Sequence, residues 1–357
     1  MRHRFLTLIA LCAALAGGCD KRPAVTPTPD PEPDPEPDPT PVTATLVKGA
    51  DISWTTEMES KGYKFYNAAG QERECTALMK ELGMDAIRLR VWVNPEGGWN
   101  GKADVVAKAK RVQALGLKLL IDFHYSDTWA DPGHQTVPAA WKGKNAADMA
   151  AAVKAHTQEV LQALKDAGCD VAWVQVGNET TQGMLWDSGK VSGSNAGQFC
   201  NYFKAGREAV KAVFPQAQVI LHLDNGWKME TLTWFLDLMK KNALDYDILG
   251  LSLYPSYWEN NAYPDWTPKV KQFVDNLPKL KQSYGKPVML VEFGMPASQP
   301  DKARAALQYL LDNTKAYDYF LGIFYWEPEA EHDRNNYDYG AFSGGKPTAA
   351  LAPFARQ

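Results

Sequence analysis

A single (β/α)8 barrel is the fold the sequence predicts, and three observations carry that reading. Eight short apolar runs alternate with amphipathic stretches over about 310 residues, the count of one such barrel. Polar and aromatic residues collect at the last positions of these runs, where parallel barrels gather their active sites. Two runs far apart in the chain each deliver a glutamate, Glu179 and Glu292, and only a fold that brings strand ends to one rim lets them act together. A doubly wound open sheet is the alternative. No GxGxxG or GKS/T loop follows an early strand to support it.

The chain opens with MRHRFLTLIALCAALAGGC, a basic start, a short apolar run and small residues. That pattern predicts a secretory signal, too short to span a bilayer. LAGGC also resembles a bacterial lipobox, which implies that Cys19 is acylated and becomes the first mature residue. Ala16 departs from the commonest lipobox pattern, and a plain signal peptide is the alternative. Cys12 leaves with the signal in either case. From Lys21 to Val42 proline alternates with Asp, Glu or Thr. Such a segment has no apolar face to bury and is expected to stay extended, as a stiff acidic spacer rising about 3.1 Å per residue. The expected organisation is a signal at residues 1–18, a lipidated cysteine and disordered linker at 19–43, and the barrel at 44–357.

The eight candidate strands follow in order. They are Leu46 to Trp54, Ala86 to Val93, Lys118 to Tyr125, Val171 to Glu179, Val219 to Gly226, Ile248 to Pro255, Val288 to Gly294 and Leu321 to Pro328. Between them, stretches such as ERECTALMKELG, ADVVAKAKRVQALG and AAVKAHTQEVLQALKDAG repeat apolar residues at helical spacing. Gly83, Gly116 and Gly168 are placed to close those helices.

A net charge of −4 with no basic patch gives no support for binding nucleic acid or an anionic membrane surface. Twelve Trp and fifteen Tyr are many. Flat aromatic faces stack on sugar rings, although large aromatics also fill cores. Cys75, Cys169 and Cys200 show no CxxC or Cys/His spacing, so they are read as buried thiols and not as a zinc site. No cofactor is implied.

The strand ends carry the chemistry. Arg88 and Arg90 share one face of the second strand, with Ile87, Leu89 and Val91 on the other, which points both arginines into the barrel. A buried arginine needs carboxylates or several acceptors, and a rim glutamate would supply one. The third strand ends in Asp122 and His124, the fifth in His222, Asp224 and Asn225, the sixth in Tyr254 and the eighth in Trp326. Glu179 and Glu292 suit glycosidic hydrolysis with retention, which needs an acid and a nucleophile about 5 to 5.5 Å apart. Proximity of two negative charges keeps one of them protonated near neutral pH. Asn178 offers an amide to the hydroxyl beside the anomeric carbon, Tyr254 a hydrogen bond to Glu292, and Trp326 an apolar floor.

Asn178-Glu179 after a fourth strand with Glu292 on a seventh resembles the clan of retaining (β/α)8 glycosidases. Within it, FHYSDTWADPG at Phe123 to Gly133, VQVGNE, HLDNG and RLRVWVNP resemble the arabinogalactan endo-β-1,4-galactanases. The resemblance runs from about Gly49 to Trp326. It implies endo-hydrolysis of β-1,4-galactan side chains of pectin, with Glu179 as acid/base and Glu292 as nucleophile. It also implies that Asn178, Arg88, Arg90, His124, Tyr254 and Trp326 line the subsite of the reacting sugar. Trp129, Trp141, Asp127, Asn225 and Trp186 would shape flanking subsites. Some bacterial relatives bind calcium after the seventh strand; here that loop reads MPASQPDK, with Asp301 as its only carboxylate, and no metal site is expected. The acidic run Glu327, Glu329, Glu331 and Asp333 is read as a solvated loop. Another β-glycan as substrate, or a non-catalytic surface glycan-binding lipoprotein, are the competing readings. A monomer in the bacterial envelope, at the outer membrane or cell surface and held only through Cys19, completes the expectation.

Overall fold

The computed structural model describes residues 46–193 and 195–355; the signal segment, Cys19 and the proline-rich linker lie outside the described residues. Among the described residues, eight parallel strands close into a barrel. They are β1 (Val47–Asp51), β2 (Ala86–Val91), β3 (Lys118–Phe123), β4 (Trp173–Val176), β5 (Gln218–Leu223), β6 (Ile248–Leu253), β7 (Val288–Phe293) and β8 (Phe320–Trp326). Each pairs with its neighbour in sequence, and β8 returns to β1 with Asp51 beside Trp326. All eight candidate strands form.

Among the described residues, the helices between successive strands are α1 (Cys75–Glu81), α2 (Lys102–Ala114), α3 (Ala146–Asp166), α4 (Gly197–Val213), α5 (Met229–Lys241), α6 (Thr267–Tyr284) and α7 (Pro300–Thr314), with short helical turns at Thr55–Ser60 and His332–Asn335 besides. The eighth position is held by a 3₁₀ segment, Ala349–Phe354, with Ala350, Leu351 and Phe354 buried. Local sequence explains the ends. Glu74 caps α1 by accepting from Ala77 N at 2.9 Å, and Asn145 caps α3 by accepting from Asp148 N at 3.0 Å. Gly83, Gly116 and Gly168 end their helices in left-handed backbone, as expected.

The barrel interior is layered. Ala86, Leu120, Trp173, Ile220, Ile248, Met289, Val291 and Phe324 fill its lower part as a closed apolar plug. Gly49 leaves room for the Phe324 ring, since a Cβ there would lie 2.3 Å from it. Above the plug, Asp51, Arg88, Asp122, Gln175 and His222 form a fully buried polar layer. Period-2 alternation accounts for both layers, because residues two apart on one strand share a face. The larger apolar cluster packs the outer strand faces against the helices, with Cys75, Cys169 and Cys200 buried there as free thiols.

One strand breaks the alternation. Met289 and Val291 point into the plug, so strict alternation would send Glu292 outward. A register shift intervenes: Leu251 pairs with Leu290, while Ser252 pairs with Glu292. A bulge of this kind re-aims one side chain, and here it turns Glu292 inward.

Candidate active site

Four strand exits turn through left-handed backbone at non-glycine residues: Tyr125 after β3, Glu179 after β4, Asn225 after β5 and Glu327 after β8. Such conformations persist only where packing over-determines them, and they cluster at functional sites. The β4 exit has two residues of positive φ close together. Gly177 takes φ +93°, a conformation no L side chain favours, and Glu179 follows at φ +45°. Gln135 Nε2 fixes the turn by donating to Asn178 O at 2.8 Å.

Glu179 and Glu292 line one cavity of about 670 Å³, together with His124, Trp129, Asn178, Tyr254 and Trp326. Seven of the expected site residues are thus brought together. Asn225 opens onto an adjoining cavity of about 560 Å³ on the Glu179 side, beside Trp227 and Lys228. Trp186 borders a third cavity, between the loops after β3 and β4. Four expected residues line none of these cavities. Trp141 is 7% exposed and packs in the core against Tyr125 and His156. Asp127 accepts from Asn94 N and Ala139 N at 3.0 and 2.8 Å, tying two loops together. Arg88 and Arg90 are fully buried and do not line the cavity, which corrects the expectation that they face it directly.

Arg88 holds the centre of the polar layer. Its Nε donates to Gln175 Oε1 at 2.7 Å, and Nη1 to Asp51 Oδ2 at 2.7 Å. Nη2 reaches Asp122 Oδ2 at 2.9 Å, Asn178 Oδ1 at 2.9 Å and Glu292 Oε1 at 2.8 Å. Burial works against the charge of Arg88, but Asp122, Glu292 and Asp51 around it hold its pKa above the ordinary arginine value. Asp122 is also buried, yet Arg88 and His124 hold it below the usual carboxylate range. His124 spends both nitrogens on this framework. Its Nδ1 accepts from Ala130 N at 3.1 Å and Trp92 Nε1 at 3.3 Å, leaving Nε2–H to donate to Asp122 at 3.0 Å.

The two glutamates sit in different surroundings. Burial raises Glu179 well above the usual carboxylate range, and the nearby charges of Glu292 and Asp224 raise it further. No ion pair reaches Glu179 among the described residues. Burial also pushes Glu292 up, to about 7, against the opposing pull of Arg88 and of Tyr254, whose hydroxyl donates to Oε2 at 2.9 Å. Of two interacting carboxyls, the one with a cation beside it ionises first. That cation lies beside Glu292, so the surroundings favour Glu292 as the ionised member of the pair.

A further pair, His222 and Ser252, stands behind Glu179; the sequence places His222 at a strand end without a role, and Ser252 is not singled out by it. Gln175 Nε2 and the Glu179 backbone N–H both aim at His222 Nδ1, at 2.8 and 3.2 Å. The Gln175 amide is fixed by its oxygen on Arg88, so Nδ1 is an acceptor and Nε2–H donates to Ser252 Oγ at 2.8 Å. Burial holds His222 neutral, well below its ordinary pKa. The Ser252 hydroxyl is then free to donate to the Glu179 carboxylate, which favours the ionised form. Removing that bond in Ser252→Ala should lower kcat and move the alkaline limb of the pH–kcat/KM profile upward, because the acid would hold its proton to higher pH. An unmoved limb would separate Ser252 from the acid.

Arg90 lies under four indole rings. Its guanidinium carbon is 4.4 Å from the Trp129 centroid, 5.0 Å from Trp54, 5.3 Å from Trp92 and 5.9 Å from Trp326. Glu327 pairs with Arg90 and also accepts from Trp54 N at 3.2 Å. The reading of Glu327 and Glu329 as a solvated loop is therefore corrected: both are fully buried, Glu327 against Arg90 and Glu329 beside Glu327, where it accepts from Thr55 Oγ1 at 3.4 Å. Asp51, Gln175 and Trp54 were missed as well. Asp51 and Gln175 were visible as lone polar residues at inward parity within apolar strands.

A barrel closed below by an apolar plug, with a carboxyl of raised pKa and a cation-held carboxylate facing one open cavity above, defines the class of glycoside hydrolases. The chain belongs to glycosyl hydrolase family 53, whose pattern matches residues 47–319. It is 31% identical over 320 residues to an arabinogalactan endo-β-1,4-galactanase of Humicola insolens, covering 81% of this chain and 91% of that one. Among solved structures, a fungal β-1,4-galactanase superposes with a TM-score of 0.78 at 28% identity, covering 86% of this chain and 98% of the other. The family 53 catalytic domain of Ignisphaera aggregans gives 0.77 at 26% identity, covering 89% and 98%.

Proposed function

We propose that the protein is an endo-acting β-1,4-galactanase that cleaves (arabino)galactan by double displacement with retention. Glu179 protonates the departing oxygen while the Glu292 carboxylate attacks the anomeric carbon; Glu179, now ionised, then takes a proton from the water that displaces Glu292 from that carbon and releases the sugar. The observation that carries this reading is the unequal support of the two carboxyls in one cavity. Glu292 holds Arg88 and Tyr254, and Glu179 holds neither. Asn178 is locked by Ala130 O at 2.7 Å and by Arg88, with its amide at the cavity wall beside both glutamates. Family membership and galactanase relatives support galactan as the substrate.

The test is release of reducing ends from β-1,4-galactan, with xylan, mannan and a β-glucan in parallel, and the anomer of the first product followed by NMR. Rapid release from galactan with the β-anomer formed first is expected. Activity confined to another glycan would overturn the substrate, and the α-anomer first would overturn the mechanism.

A further inference from the structure

A cavity of about 470 Å³ opens between the loops after β3 and β4, with Gln135, Lys142, Lys144, Met149, Trp186 and Asp187 in its wall. It lies apart from the catalytic cavity. None of its wall residues borders the cavity of Glu179 and Glu292, and His134 alone is shared with the adjoining one.

The wall is fixed by the protein itself. Trp186 N–H donates to Gln135 O at 2.8 Å, and its indole Nε1–H donates to Gln182 O at 2.9 Å. Lys142 and Lys144 stand on a tight turn. Lys142 takes φ −57° and ψ 137°, Gly143 takes φ +79°, and Lys144 N–H closes onto Trp141 O at 3.2 Å. These angles match a type II turn, whose third position calls for glycine. Trp141, buried in the core, anchors one end of the turn, and Asn145, the cap of α3, follows the other. A wall already ordered loses little entropy when a ligand covers it.

The cations of this wall are unpaired. Among the described residues, neither the Lys142 nor the Lys144 ammonium has an ion pair or a hydrogen bond. Lys190 adds a third cation, 4.3 Å from the Trp186 ring centroid. Asp187 is the one carboxylate in the wall, and His134 is engaged by Asp131 at 3.0 Å. The balance favours an anion. A neutral galactan offers these lysines nothing, which sets the ligand of this cavity apart from the substrate proposed above. The indole and the amide add a sugar's requirements to the charge. An aromatic face packs on the C–H face of a pyranose ring, and a lysine reaches a carboxylate as a flexible point charge. Gln135 Nε2 donates to Asp131 O and Asn178 O, while its Oε1 is buried without a partner, an acceptor for a hydroxyl.

We propose that this cavity binds a hexuronate unit, with its carboxylate at Lys142 and Lys144 and its ring on Trp186, so that the enzyme grips an acidic main chain while its cleft cuts a neutral side chain carried on it. The contrast between acidic ligand and neutral substrate rests on the galactanase reading. The test is calorimetry on wild type and on the chain with both Lys142→Gln and Lys144→Gln, using trigalacturonate, its methyl ester and inorganic phosphate at low and physiological ionic strength. Trigalacturonate should bind wild type more tightly than either other probe and lose affinity as salt rises. The paired substitution should weaken it about tenfold at low salt, the reach of two exposed ion pairs. It should also raise KM on galactan still attached to a uronate main chain, by up to the same factor, and leave KM on free galactan unchanged. Equal binding of acid and ester, phosphate bound as tightly as trigalacturonate, an affinity untouched by the substitutions, or a KM that does not separate the two galactans overturns the proposal. Binding is read without turnover, so a wild type silent on galactan overturns the substrate reading, while loss of trigalacturonate affinity in the variant still supports the ligand of this cavity.

Discussion

Glu292→Gln is expected to lower kcat on galactan by about 10⁴-fold or more while the chain stays folded, because an amide cannot form the glycosyl-enzyme. Glu179→Gln should cost about 10² to 10⁴ on galactan, and much less on an aryl galactoside whose leaving group needs no proton. Near wild-type turnover of either variant on galactan would remove that residue from its role. The acid variant carries a second signature, in stability. Burial raises Glu179 in the native state, so between its unfolded and native pKa values the folded chain binds more protons than the unfolded one. Stability contributed by this group is then lost as pH rises through that window. The amide introduced by Glu179→Gln mimics the protonated acid at every pH. The variant should therefore match wild type near pH 4 and unfold at higher temperature than wild type at pH 8. A lower melting temperature at pH 8 would show that the ionised carboxylate stabilises the fold. Inactivity joined to gained stability is what a functional carboxyl held in an unfavourable place produces.

Much of this was legible in the sequence because it depends on strand parity. Arg88 and Arg90 alternate with apolar neighbours, so their inward direction could be read directly, and the Val-rich run before Gly177 announced Glu179 as a strand-end residue. Glu292 was found for a less secure reason. Its place on an apolar strand was plain, but alternation from Met289 and Val291 points it outward, and only the β7 register shift turns it in. Bulges depend on both partner strands, which no single segment encodes. Residues in loops were the least legible. Trp129 and Trp141 lie in the same polar, aromatic loop segment, yet one forms the cavity wall and the other packs into the core, since tertiary contacts alone decide which ring is covered. Glu327 and Glu329 look like solvated charges until both are seen to be buried, with Arg90 paired to Glu327. The Tyr257–Tyr339 stack joins two loops 82 residues apart (339 − 257), and nothing local announces it.

Arg88→Lys tests the other half of the site. The guanidinium reaches five partners, three of them carboxylates, with a planar fork that a lysine point charge cannot reproduce. Leaving buried carboxylates without their partner should cost about 3 to 5 kcal/mol of stability, read by chemical denaturation at pH 7. Asp122 sets the pH dependence of that loss. Its pKa is depressed in the native state, so the stability it contributes is present above about 3.9, its unfolded value, and disappears as pH falls through the native value. The gap between wild type and variant should narrow accordingly in acid. Activity should respond at the opposite limb from Ser252→Ala. With the guanidinium replaced by a point charge that cannot reach all its partners, Glu292 is held less firmly against its burial, its apparent pKa rises, and the acid limb of kcat/KM moves to higher pH. If Arg88→Lys moves only the acid limb and Ser252→Ala only the alkaline one, the two limbs belong to different carboxyls. A single limb moved by both would mean that the pair titrates as one unit and that its division into acid and nucleophile is not set by Arg88.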